Sequence, residues 1–169
     1  PGLLSKALGI TIEEYETLAA DMEYTVLGGR ALPGRFTARH FADWVTARGA
    51  DVLAGFDAWH MKTFAAATCN RFGKGAGYYV GTILKEDAFY DALMADVLKT
   101  AGVKPVVTPP AGVEAAVREG KGKKLLFLIN HLEEPRTVKV PAGKKLLITG
   151  RTTGSTLTLG AYDVAVVKL

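Results

Sequence analysis

Three adjacent carboxylate pairs occur in the chain: Glu13-Glu14, Glu86-Asp87 and Glu133-Glu134. Paired acids can cleave a glycosidic bond when one protonates the leaving oxygen and the other attacks or activates water across the sugar. Neighbouring side chains on a helix diverge, so none of these pairs can flank a single bond. The first two read as helix starts, and the third precedes Pro135 in a turn. Cys69, with His40 or His60, is the one candidate for thiolate chemistry. An activated thiolate needs a helix N-terminus or cationic neighbours, whereas Cys69 lies within the apolar run Phe64–Asn70 and reads as a small buried hydrophobe. The three histidines, His40, His60 and His131, lack the close spacing of a metal pair. Gly73-Lys74-Gly75-Ala76-Gly77 imitates a phosphate loop, but its glycines precede a strand-like run rather than a helix. A hairpin turn is the better account. No catalytic, cofactor or metal residue is assigned from these motifs.

Large apolar residues in a loop are of another kind. Trp59, His60, Met61 and Phe64 fall between two strand-like runs. They mark either a contact surface for a second subunit or a loop folded back on its own core.

The elements around these residues fall into two groups. Residues 1–23 read as helical, with Thr11 and Glu14 forming a capping box. A strand is expected at Tyr24–Leu27. A helix is expected from Thr37 to Gly49, with Phe41, Trp44 and Val45 on one face. Strands at Asp51–Phe56, Phe64–Asn70 and Tyr78–Leu84 follow, the last two joined as a hairpin by Arg71–Gly77. Glu86–Ala101 reads as a helix: Phe89, Leu93, Val97 and Ala101 recur at four-residue spacing, and Gly102 closes it. Val103–Pro110 is a proline-rich linker. Beyond it come six short β-branched runs, Val113–Glu119, Lys124–His131, Thr137–Val140, Lys145–Ile148, Ser155–Leu159 and Asp163–Leu169. The expectation is therefore a partial α/β domain over residues 1–105 and a small antiparallel β-sandwich over 106–169. The first part supplies few of the strands an α/β sheet needs, and the chain starts at Pro1 rather than Met. Both suggest a processed or excised piece whose sheet is completed by sequence upstream.

Composition agrees with a folded protein. The 169 residues are 49% hydrophobic and 22% charged, with a net charge of +4, a balance far from that of disordered chains. The 21 basic and 17 acidic residues are interspersed, which argues against nucleic acid as partner. Lys121-Gly122-Lys123-Lys124, the densest basic run, suits a hairpin turn. No apolar run approaches the 18 or more residues of a spanning helix. A single cysteine rules out an internal disulfide.

An ordered series of motifs carries a family likeness. It comprises Leu32-Pro33-Gly34-Arg35-Phe36, Phe41-Ala42-Asp43-Trp44-Val45, Gly49-Ala50-Asp51-Val52-Leu53-Ala54, Thr68-Cys69-Asn70-Arg71-Phe72-Gly73-Lys74-Gly75 and Tyr78-Tyr79-Val80-Gly81-Thr82. It continues with Ala101-Gly102-Val103-Lys104-Pro105, Pro110-Ala111-Gly112-Val113-Glu114, Phe127-Leu128-Ile129-Asn130-His131 and Asp163-Val164-Ala165-Val166. In this order, from about Leu8 to Leu169, the chain resembles the C-terminal portion of glycoside hydrolase family 42 β-galactosidases. The resemblance implies a partial amidotransferase-like, flavodoxin-like trimerisation domain followed by a C-terminal β domain. It implies retaining hydrolysis of terminal β-D-galactosyl residues by two glutamates of a (β/α)8 barrel that these residues do not include. It also implies a homotrimer, a galactoside as the parent enzyme's substrate, no cofactor, no membrane partner and a cytoplasmic site. Two other functions remain open at this stage. The β module could bind carbohydrate, although Phe127 and Tyr162 are its only aromatics, or the first part could be a free-standing amidotransferase-like enzyme using Cys69.

Overall fold

One long strand organises the first half of the molecule. In the computed structural model, which describes residues 2–169, a 3-10 turn (Gly2–Leu4) and α1 (Ser5–Leu8) precede seven strands and one longer helix. The strands are β1 (Ile10–Thr17), β2 (Tyr24–Gly28), β3 (Gly34–Ala47), β4 (Asp51–Phe56), β5 (Ala65–Phe72), β6 (Gly75–Val80) and β7 (Thr82–Leu84), and the helix is α2 (Asp87–Thr100). β3 pairs with β1, β2, β5 and β7, always antiparallel. The pairings β3–β2, β2–β4, β4–β5 and β5–β3 form a closed circuit. That curvature leaves one concave side for Val26, Leu32, Phe36, Ala38, Ala42, Phe56, Met61 and Leu84, which form a buried core with Phe89 of α2. Phe36 and Phe89 meet edge to face with centroids 5.2 Å apart, a favoured aromatic geometry.

This architecture overturns the expected α/β, flavodoxin-like class. Every sheet is antiparallel, and one helix longer than a single turn is present among the described residues. Thr37–Gly49 is not a helix but most of β3. The misleading signal has a physical origin. The buried positions of β3 are Phe36, Ala38, Ala42 and Val45. A strict strand would bury every second residue, but the register shifts between Arg39 and Ala42. There His40 takes a left-handed φ of 71° and its carbonyl accepts the Leu18 amide at 2.8 Å. That β-bulge, with the register shift of β1 opposite Asp43 and Val45, turns a spacing of two into spacings of four and three, which imitate a helix. The first 23 residues deviate for the same reason. Thr11 does not cap a helix; it pairs with Thr46 inside β1, and a second register shift, between Ile12 and Tyr15, carries Glu13 and Glu14.

The helix at Asp87–Thr100 follows its four-residue periodicity, and Gly102 ends it at φ 67°. Glu86, just ahead of it, reaches β3: its Oε2 accepts the Thr37 amide at 2.8 Å and its Oε1 the Thr37 hydroxyl at 2.7 Å. Those two bonds hold the Glu86 carboxyl below its ordinary range, against the opposing effect of partial burial.

Residues Lys104–Leu169 make a second compact unit, separate from the unit that ends at Val103. Its strands are β8 (Val113–Gly120), β9 (Lys123–Asn130), β10 (Arg136–Lys139), β11 (Lys145–Leu146), β12 (Thr156–Leu159) and β13 (Val164–Lys168). A four-stranded sheet of order β11-β13-β9-β8 and the pair β10-β12 enclose a core that includes Leu126, Leu128, Val138, Leu159 and Val167. Lys121 and Gly122, at φ 49° and 70°, form the two-residue turn between β8 and β9, as positive φ at both central positions of such a hairpin requires. Asn130 is buried, yet its amide group donates to the carbonyls of Glu134 (2.9 Å) and Gly160 (2.7 Å) and accepts the Leu132 amide at 3.2 Å. It therefore ties two loops without leaving a polar group unpaired.

Candidate subunit interface

Between β4 and β5 the chain makes two tight turns: Met61 donates its amide to Ala58 and Phe64 to Met61, each at 2.9 Å. Met61 is 0% exposed and belongs to the core of the first unit. Anchored from inside by that side chain, the loop carries Trp59 outward at 87% exposure. Phe64 lies half-buried with its ring 5.1 Å from that of Trp44.

The Trp59 ring rests on a prepared base. Its centroid is 5.1 Å from the His60 imidazole. His60 Nε2 lies 3.2 Å from the Tyr24 hydroxyl and 3.3 Å from Glu16 Oε1, and the Tyr24 ring stands edge-on to the imidazole at 5.3 Å. Glu16 comes from β1, Tyr24 from β2 and His60 from the loop, so three chain segments converge. Carboxylate and hydroxyl face the same ring nitrogen, Nε2, so they do not form a relay in which an acid orients one nitrogen and the other activates a nucleophile. The Tyr24 hydroxyl is held above its ordinary pKa range, by burial first and by Glu16 second. The cluster ties β1, β2 and the loop together next to the Trp59 ring. His60 Nδ1 and Trp44 Nε1 are buried without a partner among the described residues.

Charged side chains flank the loop. Asp57 is shared by Lys62 Nζ at 3.4 Å and Arg35 at 3.9 Å. With Glu16 at His60, two carboxylates balance the two cations around the loop.

The other chemistry-bearing residues are dispersed. Cys69 lies on β5 opposite Asp51 and Tyr78. The neighbouring Tyr78 hydroxyl is pushed up to about 12, chiefly by burial, and sits 2.9 Å from Asp96 Oδ2. His40 is exposed at the bulge of β3, and His131 is 3.2 Å from Glu114 in an exposed pair. Glu13 accepts from the Thr46 hydroxyl and lies 3.7 Å from Arg48; with Glu14 it occupies the bulge of β1, not a helix start. Glu134 lies 3.6 Å from Arg136. Gly73 and Lys74 form the turn between β5 and β6, with Phe72 opposite Gly75. Among the described residues no group of three or more His, Cys, Asp or Glu is placed to hold a metal, and no helix is long and apolar enough to cross a membrane. Phe127 is half-buried on β9, and Tyr162 is exposed in the turn before β13.

Comparison with known proteins identifies the family. Residues 1–104 match the family model described as the β-galactosidase trimerisation domain, and residues 112–169 that of the β-galactosidase C-terminal domain. The chain belongs to the family 42 β-galactosidases. A β-galactosidase of Heyndrickxia coagulans is 31% identical over 169 residues, covering 100% of this chain and 25% of the relative. One from a Planococcus strain is 34% identical over 143 residues, covering 83% of this chain and 21% of its own. The crystal structure of a β-galactosidase from Bacillus circulans sp. alkalophilus superposes with a TM-score of 0.87 at 31% identity, over 98% of this chain and 25% of that one. The chain thus spans about a quarter of the length of the family 42 relatives it matches. Sequence reasoning singled out Trp59, His60, Met61 and Phe64 but not Glu16 and Tyr24, which contact His60, or Trp44, which packs on Phe64. They are distant in the chain and meet through strand pairing, so no local spacing announces them.

Proposed function

We propose that this chain is an assembly portion of a family 42 β-galactosidase, joining sister subunits into a homotrimer while catalysis occurs elsewhere. Hydrolysis of terminal β-D-galactosyl bonds belongs, in this reading, to a (β/α)8 barrel with its own pair of glutamates. The trimerisation-domain match over residues 1–104 is the observation that carries it. The carboxylates described above support it: they accept backbone and hydroxyl hydrogen bonds or pair with arginine, rather than converging on a cleft. Residues 1–105 form the trimerising part and 106–169 the C-terminal β domain. The two compact units, meeting at Val103 and Lys104, support that division. Trp59 is the contact residue, with His60, Met61 and Phe64 supporting it from behind. A large exposed aromatic beside other aromatic rings is a frequent anchor of a protein interface. A cytoplasmic location belongs to the same proposal, supported by the lone unpaired Cys69.

Sedimentation velocity of the 169-residue chain and of Trp59→Ala tests this directly. A trimer is expected, with the variant shifted to monomer at the same concentration and an unchanged far-UV circular dichroism spectrum. No turnover of an aryl β-galactoside is expected from the chain alone. A wild-type monomer, or measurable hydrolysis, overturns the proposal.

A further inference from the structure

Charge is divided unevenly between the two units, and within the second it is divided again. Residues 104–169 hold eleven lysines and arginines against five aspartates and glutamates, a net charge of +6, whereas the first unit holds ten against twelve. Four of the five acids, Glu114, Glu133, Glu134 and Asp163, lie at the end where β8 starts, β9 stops and β13 starts. The opposite end carries Arg118, Lys121, Lys123, Lys124, Lys145 and Lys168. Its anions are Glu119, which lies 3.5 Å from Lys124, and the main-chain carboxylate of Leu169. Two anions against six cations leave this end positive.

Strand register sets these cations in order. Arg118, Leu125, Lys168 and Lys145 are direct cross-strand partners, so they form one row over β8, β9, β13 and β11. Leu126, Val167 and Leu146, next along their strands, are buried in the core, so the row lies on the outer face of the sheet. Lys123, two residues before Leu125, shares that face. Arg118, Lys123, Lys145 and Lys168 are exposed and make no ion pair among the described residues. Neighbouring strands lie about 4.8 Å apart, close to the advance of one sugar unit along an extended polysaccharide. Ala116, Phe127 and Val166 make the next row of the same face, and all three are half-buried.

We infer that this basic row is a docking face for a carboxylate-bearing polysaccharide. Such a polymer repeats its charge at intervals that cations on successive strands can meet, each through a charge-assisted hydrogen bond. Neutral sugars are held largely by exposed aromatic faces, and the unit's two aromatics do not serve: Phe127 is half-buried, and Tyr162 lies at the opposite, acidic end. A single-stranded nucleic acid also calls for aromatic stacking platforms, and a lipid surface for apolar side chains that stand out from the face. The row offers neither. Sugar as the class of polymer rests on the β-galactosidase reading above: the docked chain would carry the galactosyl ends that the parent enzyme removes.

Affinity electrophoresis of the 169-residue chain in gels containing polygalacturonate, or its uncharged methyl ester, tests this. Retardation is expected with the acid and not with the ester, and it should fade as salt rises from about 50 to about 200 mM. Lys145→Glu/Lys168→Glu is expected to weaken binding about tenfold or more, and Lys145→Gln/Lys168→Gln to weaken it less. Unchanged amide exchange in β8 and β9 shows that these variants stay folded. Lys6→Glu/Lys74→Glu makes the same change of net charge in the first unit and should leave binding within about twofold. Equal retardation by the methyl ester, an equal loss in Lys6→Glu/Lys74→Glu, or tighter binding of single-stranded DNA or phosphatidylglycerol vesicles overturns the inference. A trimer that ignores polygalacturonate overturns it too and leaves the assembly reading standing. A monomer that binds polygalacturonate through the row supports it and overturns the assembly reading alone.

Discussion

Glu86 offers a test of how the first unit is held together. Its two oxygens accept the Thr37 amide and hydroxyl at 2.8 and 2.7 Å, joining the start of α2 to β3. Hydrogen bonds to a charged group contribute about 1.5–3 kcal/mol each when well buried. Both bonds here serve one partly exposed carboxylate, so Glu86→Ala is expected to destabilise the unit by about 2 kcal/mol in total. For a unit of this size that corresponds to a drop in melting midpoint of about 8 °C. Glu86→Gln, which keeps one acceptor, should lose about half as much. The pH dependence follows from the lowered carboxyl. A group whose folded-state pKa lies below its unfolded value stabilises fully above that unfolded value, near the ordinary 4.5, and loses its contribution as pH falls through the depressed one. The wild type should therefore lose stability relative to Glu86→Ala on acidification from about pH 5.5 downward, and the two should converge at the acid end. Both tryptophans, Trp44 and Trp59, lie in the first unit, so urea denaturation followed by tryptophan emission reports on that unit alone. A Glu86→Ala loss below about 0.5 kcal/mol at pH 7, or an undiminished gap at pH 3, would refute the reasoning.

Two further outcomes concern packing. Phe89, fully buried against Phe36, should lose about 3–5 kcal/mol on replacement by alanine, enough to leave the first unit largely unfolded at 37 °C; a tryptophan-monitored midpoint close to wild type would contradict its place in the core. Gly112 sits at φ 81°, and an added Cβ would run into Leu132 Cδ1. Gly112→Ala should therefore cost the second unit about 1–2 kcal/mol, detected as faster amide exchange in β8 and β9, with the tryptophan signal of the first unit unchanged.

What the sequence determined by itself is what short-range physics controls. The helix at Asp87–Thr100 was legible because four-residue spacing of Phe89, Leu93 and Val97, closed by Gly102, is complete within one segment. The β runs beyond the linker were legible because β-branched residues and turn residues alternate there at short range. The motif order declared the family, since similarity needs no coordinates. Tertiary structure alone decided the rest. β3 was misread because the bulge at His40, a product of pairing with β1 and β7, breaks the alternation on which strand recognition depends. The class followed that error: with β3 taken as a helix, the sheet appeared too small, and an α/β frame with missing strands seemed necessary. The β4–β5 loop divided in the same way. Trp59 stood out from its residue type, but Met61 being drawn inward and Glu16 and Tyr24 being brought under His60 depend on segments that meet only when β1, β2 and the β4–β5 loop pack. Sequence separation carries no information about such a meeting until the long-range pairings are made.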